Sequence, residues 1–126
     1  TTKTLKAMLK EASVRAKNGR QILIYPEGTR AAPGAPPEYK AAGVTALYNA
    51  LNIPVVPLAT NSGLCWPARG LTRKPGHVVY EVLPPIPADL NRKEMFARMS
   101  ADLEAASERL LDEGLAAQGR TRDDLA

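Results

Sequence analysis

The consecutive residues Glu27, Gly28, Thr29 and Arg30 carry groups suited to holding an anion. Glycine lets the oxygens of a ligand approach the main chain, and threonine donates a hydroxyl hydrogen bond. Arginine offers a planar fork of donors that fits a phosphate better than the point charge of lysine. The alternative is a polar turn in which Glu27 and Arg30 form a surface ion pair, worth about 0–1 kcal/mol. These residue types alone favour neither interpretation.

Two short apolar segments with a helix between them are predicted to position this turn. Residues 22–24 have the length and β-branched content of a buried strand, and Pro26 ends it because proline lacks a backbone donor. Residues 55–59 show the same pattern, and helical spacing begins between them at Tyr39. A strand-helix-strand unit of this kind is almost always right-handed and makes its strands parallel. We therefore expect an α/β fold with a small, mostly parallel sheet flanked by helices.

The parallel arrangement predicts which side chains join the turn. The carboxyl ends of parallel strands lie at one edge of the sheet, where ligands bind in open α/β folds. Asn61 and Ser62 follow the second strand and are therefore expected near Thr29 and Arg30. A cation in the first turn of a helix opposes the helix dipole, so Lys40 is a further candidate for contacting an anion, although a simply exposed lysine is the favoured interpretation. This placement favours the anion site over the surface turn.

Three further elements are predicted from periodicity. Residues 2–17 form an amphipathic helix whose basic face is either solvated or in contact with anionic headgroups. Residues 77–83 form a third strand. A last helix starts at Asn91, with Glu94 in a capping-box position, and ends at Gly114. We expect one domain over residues 1–114 and a polar, frayed tail over residues 115–126.

Composition limits the class of protein. The chain has 126 residues, which suits one domain or one piece of a larger domain. No segment approaches the about 20 apolar residues of a membrane span, and the amino end lacks the apolar centre of a signal peptide. Cys65 is the single cysteine, so an internal disulfide is excluded. Trp66 lies beside a basic cluster and is either a packed side chain or an interfacial anchor.

The positive charge predicts an anionic partner. The net charge is +4 and the isoelectric point is about 9.4. Nucleic acid is not expected, since the sequence has no aromatic-basic interleaving, zinc spacing or helix-turn-helix. An anionic lipid surface and a phosphorylated small substrate both fit.

Three segments resemble the glycerolipid acyltransferases. Residues 25–30, Tyr-Pro-Glu-Gly-Thr-Arg, resemble the phosphate-binding block of that family, and residues 53–58, Ile-Pro-Val-Val-Pro-Leu, resemble its later apolar-proline block. Between them, residues 40–43 are similar to the Lys-x-Gly pattern of the family, with one extra residue. The resemblance extends over about residues 2–83.

The resemblance implies acyl transfer from acyl-CoA or acyl carrier protein to lysophosphatidate, giving phosphatidate. Gly28, Thr29 and Arg30 would hold the substrate phosphate, Glu27 would order the turn, and Pro57 would shape the adjoining strand end near the acyl or substrate channel. No metal or organic cofactor is implied, since the thioester is a co-substrate. The implied location is the cytoplasmic face of a membrane, and the implied partners are the phosphorylated glycerolipid, the acyl donor and the membrane surface.

The catalytic block of the family, His-x-x-x-x-Asp, is absent from the sequence. His77 is the single histidine, and Val82 stands where the aspartate would be. In the family this block precedes the phosphate-binding block, so we expect it upstream of Thr1. We accordingly expect the chain to be a carboxyl-terminal part with no catalytic residue of its own, inactive alone and prone to self-association through an uncovered sheet edge.

Two other functions remain open from the sequence. One is acyl transfer to a different acceptor, such as glycerol 3-phosphate or an ornithine lipid. The other is a non-catalytic module that binds anionic lipid through the same residues.

Overall fold

A computed structural model describes residues 2–125 of the chain. In order, its elements are helix α1 (Thr2–Lys17), helix α2 (Ala41–Leu51), strand β1 (Leu58–Thr60), a 3₁₀ turn (Ser62–Leu64), strand β2 (Tyr80–Val82), helix α3 (Arg92–Ala117) and a final 3₁₀ turn (Arg122–Leu125).

Helix α3 supports the rest of the fold. Its apolar residues recur at helical spacing, and the buried ones include Met95, Met99, Leu103, Ala106 and Leu110. This stripe packs against α2 and β1 in one core cluster. The predicted start of the helix is confirmed, since the side chain of Asn91 accepts a hydrogen bond of 2.9 Å from the backbone N–H of Glu94.

The two strands of the described chain pair antiparallel. Leu58 is opposite Val82, Ala59 opposite Glu81 and Thr60 opposite Tyr80. The Ala59 side of this pair packs on α3, whereas Leu58, Tyr80 and Val82 are exposed on the other side. The expected parallel pairing of residues 55–59 with residues 22–24 is not formed. Two strands are too few to decide the fold class, which stays a prediction.

Residues 22–24 do not form the predicted buried strand. Leu23 is 72% exposed, although Ile24 packs against the core cluster. Within residues 2–125 no backbone hydrogen bond joins this segment to another one. A strand needs a neighbour for its N–H and C=O groups, and β1 takes β2 as its neighbour instead. The apolar pattern was therefore correct for Ile24 and wrong for the segment as a strand.

Helix α3 continues through Gly114, so the predicted end at that residue is wrong. A Cβ at position 114 would lie 2.6 Å from Cδ1 of Leu64. Glycine is therefore needed at this position so that the 3₁₀ turn at Ser62–Leu64 can pack closely against α3. Leu115 is 2% exposed, and Leu125 packs against the cluster that contains Leu115 and Leu111.

Charge pairs also tie the end of the chain to α3. The guanidinium of Arg122 lies 2.5 Å from a carboxylate oxygen of Glu108 and 2.7 Å from one of Asp112. The bond from Arg122 lowers the pKa of Asp112. Residues 115–125 are therefore packed on the helix rather than frayed, while the division into a domain 1–114 and a tail stays a prediction.

Replacing Leu115 tests this packing. Leu115→Ala should lower the free energy of unfolding by about 2–5 kcal/mol, because it removes buried methyl groups and leaves a cavity. Urea denaturation followed by circular dichroism measures the change, with Leu23→Ala as the exposed control. Equal stability of Leu115→Ala and the wild type would mean that the last turn of α3 is not packed.

Candidate functional site

The 27–30 turn depends on the backbone of Gly28. Its φ is +67°, a left-handed conformation that costs other residues free energy because their Cβ crowds the carbonyl. The N–H of Gly28 donates a 3.0 Å hydrogen bond to the carbonyl of Tyr25, which closes the turn. The glycine that the sequence singled out for ligand approach is thus also required by the fold.

Lys40 lies over this turn. Its backbone N–H donates a 2.7 Å hydrogen bond to the carbonyl of Pro26. A Cβ built on Gly28 would lie 3.3 Å from Cδ of Lys40 and 3.5 Å from its Nζ. The ammonium group therefore stands beside the main chain of Gly28, at the N-cap of α2, where the helix dipole adds partial positive charge. The structure brings together two residues that the sequence had proposed separately.

Arg30 connects the turn to a second loop. Its Nη2 donates a 2.7 Å hydrogen bond to the carbonyl of Trp66, which leaves other donors of the guanidinium for a ligand. Among residues 2–125, no ion pair joins Arg30 to Glu27. The alternative of a simple surface ion pair within the turn is therefore not supported.

An open cleft lies on one side of the turn. Its volume is about 530 Å³, and both apolar and charged residues form its walls. The lining residues are Glu27, Thr29, Ala31, Ala32, Ala35, Pro36, Glu38, Tyr39 and Lys40. Thr29 and Lys40 thus offer donors to the same space, while Glu27 places a carboxylate at its wall.

Tyr39 joins the cleft to α3. Its ring meets that of Phe96 edge-on, with centroids 6.4 Å apart. Burial, together with the smaller effect of the negative charges of Glu104 and Glu27, raises the pKa of Tyr39 to about 12. The phenol is therefore a neutral group in the cleft at physiological pH. No sequence pattern predicts this role, because Glu104 approaches Tyr39 only through the packing of α3.

Asn61 and Pro57 lie away from the cleft. Asn61 is buried, its Oδ1 accepts a 2.8 Å hydrogen bond from the N–H of Val79, and its Nδ2 is 2.9 Å from the position of a Cβ on Gly114. Pro57 is also buried, and its carbonyl accepts a 2.9 Å bond from the N–H of Leu83. Both residues hold β1 and β2 in place, and their substrate-binding role stays a prediction.

The 27–30 turn and the segment after β1 still meet, through other atoms than expected. The bond from Arg30 to the carbonyl of Trp66 is one contact. The other is between Pro33 and Gly63, where a Cβ on the glycine would lie 3.2 Å from Cγ of the proline. Loops rather than parallel strands make this approach, and it involves Gly63 and Trp66. The expected approach of Asn61 and Ser62 to Thr29 and Arg30 stays a prediction.

Comparison with known proteins gives one informative likeness. The chain is 32% identical over 101 residues, 80% of its length, to the 1-acyl-sn-glycerol-3-phosphate acyltransferase of Pseudomonas aeruginosa. The chain is similar to an acyltransferase. This likeness supports the resemblance seen in the turn and in the apolar-proline segment, and it extends over 39% of the length of that relative.

Two other comparisons found nothing: no family model and no solved structure matches the chain. Within the described residues, no helix has both the length and the apolar content needed to cross a membrane.

The raised pKa of Tyr39 gives a testable dependence on pH. Because unfolding returns this pKa toward 10.0, the unfolded chain loses the phenolic proton first as the pH rises. The contribution of Tyr39 to stability is therefore complete below about pH 10 and declines as the pH rises toward 12. Urea denaturation of the wild type and of Tyr39→Phe should show a difference in unfolding free energy that shrinks over this interval.

The carboxylates provide the control for that measurement. Glu104→Gln should lower the pKa of Tyr39, read from the tyrosine ring carbons by NMR, and Glu113→Gln should leave it unchanged. A Tyr39 that titrates at its ordinary value in the wild type would refute the proposed surroundings of the phenol.

Proposed function

We propose that this chain supplies the phosphate-binding part of an acyltransferase that converts lysophosphatidate to phosphatidate, with acyl-CoA or acyl carrier protein as the acyl donor. The observation that carries the proposal is the position of the Lys40 ammonium group beside the main chain of Gly28. The likeness to a 1-acyl-sn-glycerol-3-phosphate acyltransferase supports the choice of reaction.

The charges around the turn suit a phosphate monoester. Lys40 would approach one side of the phosphate as a point charge, and Arg30 would offer the guanidinium donors that Trp66 does not use. Thr29 lines the cleft together with Lys40 and would donate a further bond, whereas Arg30 is not among the lining residues and would reach the phosphate from the rim. Gly28 has no side chain, which lets the side chain of Lys40 lie against its main chain and brings the ammonium group to the turn.

Glu27 would order these groups rather than bind the anion. Its carboxylate is close enough to Tyr39 to raise the pKa of the phenol. Glu27 and Lys40 line the same cleft, so this carboxylate would attract the ammonium group when no phosphate is bound. In the proposed complex the phosphate takes over that neutralising role.

Acyl transfer also needs a base for the acceptor hydroxyl, and the described chain offers no histidine for it at the cleft. His77 is the single histidine, it is exposed, and it is not among the lining residues. The proposal therefore assigns binding to this chain and proton abstraction to residues outside it.

The isolated chain should accordingly be inactive. The purified 126-residue protein, given lysophosphatidate and acyl-CoA, is expected to release no coenzyme A above the uncatalysed rate. Release is measured with a thiol reagent. Turnover by this chain alone would refute the assignment of the base to other residues.

Arg30 and Lys40 should affect binding of the acceptor in an active enzyme that contains this chain. Arg30→Ala and Lys40→Ala should each raise KM for lysophosphatidate by about 10- to 100-fold, since each removes a charge-assisted bond of about 1.5–3 kcal/mol. Arg30→Lys should give a KM between those of the wild type and Arg30→Ala, because lysine keeps the positive charge and lacks the planar fork of donors.

Arg98→Ala provides the matched loss of charge, on an exposed position of α3. It should leave KM unchanged. If Arg30→Ala and Lys40→Ala also leave KM unchanged, neither residue binds the phosphate.

The same assay with glycerol 3-phosphate and with an ornithine lipid as acceptor tests the other acceptors. If the longest natural form of the protein binds lysophosphatidate without turnover, the non-catalytic module is favoured.

A further inference from the structure

Residues 66–74 form a protruding loop with fixed ends, hereafter the 66–74 loop. The N–H of Trp66 donates a 2.9 Å bond to the carbonyl of Ser62, and the N–H of Lys74 donates one of 2.9 Å to the carbonyl of Cys65. Just beyond the loop, the side chain of Gln118, the residue that follows α3, donates a 3.2 Å bond to the carbonyl of Pro75. A loop whose ends are held together in this way projects its middle residues as one unit.

The 66–74 loop carries apolar side chains into solvent. Leu71 is 92% exposed and Trp66 is 55% exposed. Neither is needed to close the core, since both core clusters are built from other residues. Other large apolar side chains of the chain are also exposed, but these two lie on one loop together with cations.

The charges of the same loop have one sign. Arg69, Arg73 and Lys74 are all exposed, and residues 65–80 contain no aspartate or glutamate. The guanidinium carbon of Arg73 lies 4.3 Å from the ring centroid of Trp66, so charge and aromatic surface are joined. An apolar side chain and an aromatic ring surrounded by cations suit the interface of an anionic bilayer. Aromatic rings lie at the level of the headgroups there, and cations contact the lipid phosphates.

We propose that the 66–74 loop binds the protein to anionic membrane surfaces, with Leu71 in the acyl region, Trp66 at the headgroup boundary, and Arg69, Arg73 and Lys74 on the lipid phosphates. A folded acidic protein would satisfy the cations but would leave the projecting Leu71 without a receiving surface. The bilayer accommodates both features, and its charge is complementary to that of the loop.

This binding mode goes beyond the proposed acyl transfer and explains how a lipid reaches the turn. The carbonyl of Trp66 accepts the bond from Arg30, so the 66–74 loop and the 27–30 turn are in direct contact. A bilayer seated on the loop would hold headgroups beside Arg30. The tests below contain no lysophosphatidate and no acyl donor, so their failure is separate from any failure of the proposed reaction.

Trp66 is the single tryptophan, so its fluorescence reports on this loop alone. With vesicles of equimolar phosphatidylcholine and phosphatidylglycerol, its emission should shift to shorter wavelength and be quenched by lipids brominated on the acyl chain. With phosphatidylcholine vesicles alone, or at high salt, binding should be much weaker because the charge attraction is absent or screened. An unchanged emission with anionic vesicles, or equal binding to both vesicle types, would overturn the proposal.

Matched variants locate the contact. Exchanging Arg69, Arg73 and Lys74 for glutamine should weaken vesicle binding by about 100-fold, and Leu71→Ser should weaken it by about 10-fold. The charge control exchanges Lys3, Lys6 and Lys10 of α1 for glutamine, and the apolar control is Leu23→Ser, on another exposed leucine. Circular dichroism verifies that each variant is folded, and co-sedimentation measures binding.

Each control result has a defined meaning. Loss of binding confined to the loop variants supports the proposal. Loss confined to the α1 variant would assign the contact to that helix and overturn it. A change in Trp66 emission with purified acyl carrier protein, an acidic protein, and none with anionic vesicles would also overturn it in favour of a protein partner.

Discussion

Burial of the apolar stripe of α3 is the interaction on which the structure depends. The two strands are short, and one side of their pair is exposed, so the strands alone bury too little apolar area to be stable. The side of Ala59 packs on α3, and so does α2 through Val44 and Tyr48. The phenol of Tyr48 also ties α2 to the segment before α3 by hydrogen bonds. It donates a 2.5 Å bond to the carbonyl of Pro87 and accepts one of 3.0 Å from the N–H of Leu90. The 27–30 turn is bonded to the start of α2, and the 66–74 loop is bonded at its base to the residue that follows α3, so both depend on this helix.

The same helix explains how the candidate site is positioned. Lys40 immediately precedes α2, and α2 packs on α3. The packing of these two helices therefore positions the ammonium group beside Gly28. Arg30 is placed from the other side, through the carbonyl of Trp66. The site is therefore assembled by a helix end and two turns. Their main-chain groups are fixed by hydrogen bonds rather than by a continuous sheet.

The sequence predicted the helices better than the sheet, and the chemistry of the turn stays a prediction. The periodicity of α3 and the cap at Asn91 are local properties, and they predicted where that helix starts. Its end was missed because Gly114 serves a close approach by Leu64, which only tertiary packing reveals. The strand predicted at residues 22–24 is not formed for a similar reason, since apolar content does not say whether a pairing partner exists. Lys40 was identified from its position at a helix start, whereas Asn61, chosen from the expected parallel edge, proved to be a buried bond acceptor for Val79.

The hydrogen bond between the N–H of Lys40 and the carbonyl of Pro26 encloses a segment that includes Pro33, Pro36 and Pro37. Each proline restricts the backbone of the unfolded chain. The chain therefore loses less conformational entropy when the hydrogen bond between Lys40 and Pro26 closes this loop. Gly34 lies among them with a φ of +80°, where it permits a sharp reversal that no proline could make. The ammonium group of Lys40 beside Gly28 therefore follows a segment of main chain with little conformational freedom. An anion that binds there meets donors already arranged, and little of its binding free energy is spent on ordering the protein.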